Sequence, residues 1–329
     1  MSKLVTIYGG SGFVGRYIAR RMAKEGWRVR VAVRRPNEAM HVKPYGVPGQ
    51  VEPILCNIRD DASVSAAMQG ADAVVNCVGV LNALGKNSFE AVQAEGAARV
   101  ARIAAAQGIG QLVHLSALGA DAQGRSEYAR TKAAGEAAVR EAFPDAVILR
   151  PSVIFGTEDQ FFNRFAGMAS LSPILPIARG ETLFQPVYVD DVARAAVKAA
   201  LGTVAPGIYE LGGPEVKSFA ALMREMCAVI RRRRLVLSLP GFAVWPLAFG
   251  FDMLQAFSLQ LIENKVLSRD QLKSLETDNV VSGDAMGFAD LGITPERMGP
   301  ILPSYLWKFR PSGQYDEMTA SARNLKGDA

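Results

Sequence analysis

The chain has 329 residues, of which 49% are apolar and 21% charged, and a formal net charge of +5. That composition describes a globular protein with one large core and room for a smaller annex, and it excludes a disordered chain. The mild positive charge suits an anionic ligand, an acidic partner or an anionic membrane surface, and with no zinc-finger spacing or long basic arm it argues against nucleic acid.

Strand-like sequence begins at Lys3, so a chain starting natively at Met1 is expected on the cytosolic side, most simply in a bacterium. "LVTIY" (Leu4–Tyr8) reads as a strand, followed by a helix from about Phe13 that stops at Gly26. "RVRVAV" (Arg28–Val33) alternates with period two. "VEPILC", "DAVVNCVG", "QLVHLS" and "DAVILRP" follow, separated by Ala-rich helical stretches such as Glu90–Gln107. This alternation predicts an α/β fold, a doubly wound parallel Rossmann-type sheet with helices on both faces. Beyond Phe155 the pattern is less regular. "QPVYVDDVARAAVKAAL" predicts a short strand and a helix capped by Asp190 or Asp191, "GIYELGG" one more strand, and "FAALMREMCAVIRRRR" a helix. A smaller, irregular C-terminal domain is expected, with boundaries at 1–150, 151–235 and 236–329.

Chemistry enters at the first strand–helix junction. Gly9, Gly12 and Gly15 form GxxGxxG there, with Ser11, Phe13 and Val14 between them. Glycines permit the tight turn and let backbone N–H groups and the helix N-terminus approach a pyrophosphate, though they also suit a merely close-packed turn. An NAD site usually has an acidic residue after the second strand to bond the ribose 2′-hydroxyl. Arg34 and Arg35 stand there instead, and Arg16 follows the last glycine. Cations at these places complement a 2′-phosphate, which favours NADPH or NADP+, unless they form only a solvated cluster. Tyr128 and Lys132 are spaced i, i+4 in "YARTK", so one helix face presents both. The lysine is expected to lower the phenol pKa and to hold ribose hydroxyls while the tyrosine passes a proton. Cys56, Cys77 and Cys227 are odd in number and lie in apolar settings, reading as buried thiols of a reducing compartment. With only His41 and His114 as histidines, no metal site or hydrolase triad is expected.

Together with "CNIRDD", "VNCVG", "LRPSVIFG" and "PVYVDDVARA", these motifs make the stretch from about Lys3 to Gly213 resemble the extended or atypical short-chain dehydrogenases/reductases. The resemblance implies that Asn57 and Ile58 border the adenine and that Val78 and Gly79 line the path of the cofactor. It further implies that Pro151, Ser152, Val153 and Ile154 close over the nicotinamide end. Active members carry a serine or threonine beyond the fifth strand for the substrate oxygen. Here Leu118 takes its usual place, leaving Ser116 or Ser126 as substitutes or as structural residues.

The C-terminal part departs from sugar-nucleotide epimerases. Residues 235–251 carry no charge and follow Arg231–Arg234, but they fall short of the ~18–20 residues of a membrane span and are broken by Pro240, Gly241 and Pro246. A membrane interface, a protein-docking surface and a buried helix pair all remain open for residues 235–262. "YARTKAAGEAAVREAFPDAVILRPSVIFGTEDQFFNRFA" and the apolar segment after the arginines make the chain similar to one branch, the nucleotide-binding accessory subunits of respiratory complex I of the alpha-subcomplex subunit 9 type. That resemblance implies an NADPH held for stability and assembly without turnover. It also implies docking to other peripheral-arm subunits and lipid head groups, on the cytoplasmic face of a bacterial inner membrane. The alternative is an active NADP(H)-dependent reductase or sugar-nucleotide epimerase using Tyr128 and Lys132. Direct quinone reduction is not expected, because no iron–sulfur cysteine pattern is present.

Overall fold

Alternating apolar runs in the first half become strands because both faces of each are covered. In the computed structural model, which describes residues 2–82, 85–241, 244–245, 268–311 and 313–315, the order is β1 (Leu4–Tyr8), α1 (Phe13–Lys24), β2 (Arg28–Val33), β3 (Val51–Leu55), α2 (Asp61–Met68), β4 (Ala73–Asn76), α3 (Glu95–Ala106), β5 (Gln111–Leu115), α4 (Glu127–Ala142) and β6 (Val147–Pro151). Then come β7 (Ile154–Phe155), α5 (Phe162–Leu171), β8 (Ile174–Ala178), β9 (Leu183–Phe184), β10 (Val187–Tyr188), α6 (Val189–Ala200), β11 (Gly207–Leu211), β12 (Lys217–Ser218), α7 (Phe219–Val229) and β13 (Leu235–Leu239).

Seven strands form the main sheet in the order β3-β2-β1-β4-β5-β6-β11, and every pairing is parallel. This is the doubly wound Rossmann-type sheet that the sequence predicts. The order reverses between β1 and β4, so a crevice opens beyond the C-terminal ends of those strands. Side chains divide with period two. Val5, Ile7, Val29, Val31, Val75 and Val113 face α1 and α6, while Tyr8, Ala32, Val74, Leu112 and Ile148 face α2, α3 and α4. Two buried hydroxyls of β1 are satisfied: Thr6 donates to the Ala67 carbonyl at 2.9 Å and Tyr8 to the Val64 carbonyl at 2.7 Å. Their burial therefore costs little.

Three local expectations are corrected. The single helix expected over 90–107 opens with a π-type turn, Glu90–Ala94. There α3 and α4 are pressed so close that a Cβ on Gly135 would lie 2.3 Å from the Gln93 carbonyl oxygen. Neither Asp190 nor Asp191 caps α6, since the cap position is Tyr188. Instead Asp190 pairs with Arg21, and Asp191 accepts from Arg194 at 3.1 Å and from the Glu296 N–H at 2.7 Å. The helix expected to run through the four arginines ends at Val229, where Arg231 takes a φ of +53° and turns the chain into β13.

β13 pairs with β8, and the boundary expected at 235/236 falls within it. A separate core forms here from α5, α7, β8 and the helix Met298–Leu306, with ring contacts among Phe161, Phe165, Phe184 and Phe219. Most of the apolar stretch 235–262, for which lipid, partner and core contact are all open, lies outside the described residues, from 246 to 262. Among those described, no helix is long and apolar enough to cross a membrane.

Candidate functional site

The glycine loop closes the β1–α1 junction. Gly9 has a φ of +74°, in the region that favours glycine. A Cβ on Gly15 would lie 2.4 Å from the Gly9 carbonyl oxygen and 2.7 Å from Gly10 Cα, so α1 can lie against the loop only without a side chain there. Gly12 takes the N-cap position of α1, and no side chain caps it. The helix thus begins with free N–H groups and a positive dipole end aimed at the crevice, the arrangement that receives a phosphate. Ser11 and Phe13 are half-buried at the rim, and Val14 packs inward.

The three candidate arginines differ in their partners. Arg16 is bent back onto the loop, donating to the Gly12 and Ser11 carbonyls at 3.2 and 3.1 Å and pairing with Glu158 at 3.4 Å. Arg35 pairs with Glu38 at 3.0 Å. Arg34, exposed at the end of β2, enters no ion pair among the described residues. Along the opposite wall, Asn57 accepts from the Arg59 N–H at 3.2 Å and its own N–H donates to Ser63 Oγ at 2.9 Å. Ile58 is buried against Gly96, whose Cβ would meet it at 3.3 Å. Val78 is the nearest side chain to Gly9, 3.2 Å from a Cβ placed there. Gly79 is exposed, and a Cβ on it would lie 3.5 Å from Lys132 Nζ.

The far end of the crevice holds Tyr128 and Lys132. Ser126 is the N-cap of α4, accepting from the Ala129 N–H at 3.1 Å, so its role is structural. Lys132 is buried and donates to the Leu115 carbonyl at 3.2 Å, with Nζ 6.0 Å from the centre of the Tyr128 ring. Burial pulls the ammonium down to about 8, against Glu136 and Cys77, which raise it. The expectation that Lys132 lowers the phenol is not met, because desolvation pushes Tyr128 up to about 12. Ser116 is buried, and among the described residues its Oγ has no hydrogen-bond partner, nor does Nε2 of buried His114. The His114 ring is pulled down to about 3 by desolvation first and by Lys132 second, so it stays neutral. Leu118 is buried, its N–H donating to the Pro151 carbonyl at 2.9 Å.

A strap that the sequence reading did not find runs over this end. Asp270, in the short helix Arg269–Ser274, accepts from the N–H groups of Glu127 at 2.7 Å and Tyr128 at 3.1 Å. Gln271 donates to Asn82 at 3.2 Å, and Glu276 pairs with Arg179 at 3.0 Å and also with Arg125. Asn279 Oδ1 accepts from Ser152 Oγ at 2.7 Å and the Val153 N–H at 3.0 Å. Ser152 and Val153 are thereby tied to the strap; Pro151 ends β6, and Ile154 pairs with Val187 of β10. In the sequence the stretch "SRDQLKSLETDNV" reads as a charged helix, which the structure forms only over Arg269–Ser274, started by the capping box of Ser268 and Gln271.

These residues fit a nicotinamide dinucleotide. The cradle has no room for a Cβ, the helix start above it is uncapped, and an unpartnered hydroxyl and a singly bonded lysine stand at the other end. Residues 5–212 match the NAD dependent epimerase/dehydratase family. Over 97% of its length the chain is 35% identical to the Arabidopsis thaliana protein named NADH dehydrogenase [ubiquinone] 1 alpha subcomplex subunit 9, mitochondrial, and covers 81% of that relative. A ceramide reductase of Caulobacter vibrioides is 33% identical over 63% of this chain and 64% of its own. Among solved structures, the Bordetella bronchiseptica enzyme WbmG in complex with NAD and UDP superposes with a TM-score of 0.70 at 13% identity, over 97% of this chain and 96% of that one. That likeness speaks for the fold. By the matched residues and the full-length relative, the chain belongs to the NAD dependent epimerase/dehydratase family, in the branch of the complex I alpha subcomplex subunit 9 proteins.

Proposed function

We propose that this chain is an accessory subunit of an NADH:ubiquinone oxidoreductase that holds NADPH as part of its structure and does not turn it over. The observation that carries this reading is the strap: Asp270, Gln271 and Asn279 fasten the chain's own backbone across the end of the crevice where a substrate would meet Tyr128. A phenol pushed up to about 12 is also a poor proton donor near neutral pH. The likeness to a complex I subunit covers 97% of the chain, whereas the likeness to the reductase covers 63% of it.

In this reading the uncapped start of α1 binds the pyrophosphate, Arg34 meets the 2′-phosphate, and Lys132 and Ser116 hold the ribose at the nicotinamide end. The dinucleotide, when bound, brings hydride chemistry that the half-buried Tyr128, beside the strap, leaves unused. A ligand at a hundred times its Kd stabilises the fold by about 2.7 kcal/mol, enough to make it a structural element. The subunit sits peripherally, on the cytoplasmic face of a bacterial inner membrane. Leu171, Ile174, Leu235 and Leu237 are exposed around the β8–β13 ribbon beside exposed Arg231 and Arg233, a surface suited to neighbouring subunits and anionic head groups.

A native gel of gently solubilised membranes, probed for this chain and stained for NADH dehydrogenase activity, tests the reading. Comigration in one large band is expected, and Tyr128→Phe should leave both band and activity unchanged. A small soluble species, absent from that band, would refute it. One observation favours a second reading, an NADP(H)-dependent reductase: Tyr128 and Lys132 stand together, and the Ser116 hydroxyl has no partner among the described residues. It would follow if a carbonyl substrate oxidised NADPH with the wild type and not with Tyr128→Phe.

A further inference from the structure

Two adjacent carboxylates in the turn after β7 face opposite parts of the molecule. Glu158 faces the start of α1: it pairs with Arg16 at 3.4 Å and accepts from the Tyr17 hydroxyl at 2.9 Å. Arg16 in turn donates to the carbonyls of Ser11 and Gly12 in the glycine loop. Asp159 faces the other way. It is buried and accepts from the hydroxyl of buried Tyr305, in the helix Met298–Leu306, at 2.6 Å. Its two oxygens also accept from the N–H groups of Gly156 at 3.1 Å and Asn163 at 2.9 Å, which fixes the turn. Gly156 is wedged between layers: a Cβ there would lie 2.6 Å from Val189 and 3.4 Å from Phe13. Phe13, Arg16 and Tyr17 therefore all bear on one turn, and Tyr305 holds that turn from behind.

The helix that carries Tyr305 belongs to the C-terminal layer. Leu302 and Leu306 pack in one core with α5 and α7, and beyond it Arg310 donates to the Val229 carbonyl at 3.1 Å while Arg232 donates to the Phe309 carbonyl at 2.9 Å. The layer holding the helix thus also anchors the arginine run and β13.

We infer that the Glu158–Asp159 turn couples nucleotide binding to the C-terminal layer, so that NADPH in the glycine loop steadies the helix Met298–Leu306 and an ordered helix tightens NADPH binding. This rests on the nucleotide reading given above. A filled loop fixes Arg16 and Tyr17, their partner Glu158 is held, and Asp159 keeps the geometry that Tyr305 needs. The coupling is reciprocal: whatever factor NADPH contributes to docking of the C-terminal layer on a partner, that partner returns as NADPH affinity.

The test is hydrogen exchange of the full chain with and without NADPH, together with NADPH titrations of the wild type, Tyr305→Phe and Glu158→Gln. Neither substitution removes a residue assigned to the nucleotide, and the partly exposed Glu158 position leaves the core intact. NADPH is expected to slow exchange over 298–306 in the wild type. Each variant should lose that protection and bind NADPH roughly fivefold or more weakly, the usual lower range of such coupling. The double variant should be little weaker than either single one. Tight NADPH binding without slowed exchange over 298–306, or wild-type affinity in both variants, would overturn the coupling and leave the nucleotide reading intact. Absence of NADPH binding by the wild type would overturn both.

Discussion

Arg16, Arg34 and Arg35 carry the same charge around one loop, and only their partners separate them. Arg16 braces the loop's own carbonyls and Arg35 is paired with Glu38, whereas exposed Arg34 enters no ion pair among the described residues and is the arginine proposed for the 2′-phosphate. A charge-assisted hydrogen bond is worth about 1.5–3 kcal/mol, so Arg34→Ser should weaken NADPH roughly ten- to a hundredfold and leave NADH nearly unchanged. Fluorescence titration with both nucleotides checks this, and an equal loss for the two would remove Arg34 from the phosphate site. The sequence showed that cations stand where an acid usually does. Which one is unpaired depends on Glu38 and on Glu158, 142 positions beyond Arg16, and no local pattern carries that information. Ser126 and Ser116 illustrate the same limit, since a serine before a helix reads alike as a cap or as a reactive group until its neighbours are known.

Among elements, the parallel strands were legible because burial on both faces leaves a continuous apolar signature, and the glycine spacing marked the first junction. The strap was not legible. Its anchors are single polar residues, Asp270 and Asn279, bonded to partners 143 and 127 positions away, in a stretch without apolar periodicity. Nor did propensity alone show that β13 would pair with β8. The strap's contribution is measurable: Asn279→Ala takes the side-chain acceptor from the Val153 N–H, while Ser152 Oγ retains the Asn279 carbonyl at 3.0 Å. Leaving a buried donor unpaired costs about 1–3 kcal/mol. A matching fall in the urea midpoint is expected, with faster exchange over 275–282. An unchanged midpoint would mean the strap is only laid on the surface.

At the scale of the whole molecule, a chain of charges runs from α4 across the sheet to the strap. Lys132 lies one helical turn from Glu136; Glu136 is gripped by Arg150 at 2.6 and 2.9 Å; Arg150 reaches Glu210 at 3.7 Å; and Glu210 accepts from the Ser282 N–H at 2.7 Å. Most of these charges have partners, but Lys132 has only a carbonyl within hydrogen-bond reach among the described residues, and burial lowers its ammonium from 10.5 to about 8. Between those two values the unfolded chain holds a proton that the folded one has released, so stability attributable to this group rises with pH across that window and is lowest below it. The linked amount is of order 3 kcal/mol. Lys132→Met removes the buried charge at similar length, so without nucleotide its urea midpoint should exceed that of the wild type at pH 7, and the gap should narrow by pH 9.5. A gap that stays constant between the two would mean that Lys132 keeps its ordinary affinity for protons in the fold. A gap that narrows would show that the charge is retained at a cost in stability. Retention at that cost is what a position that meets a ligand would show, which ties the global stability of the protein back to the crevice beside Tyr128.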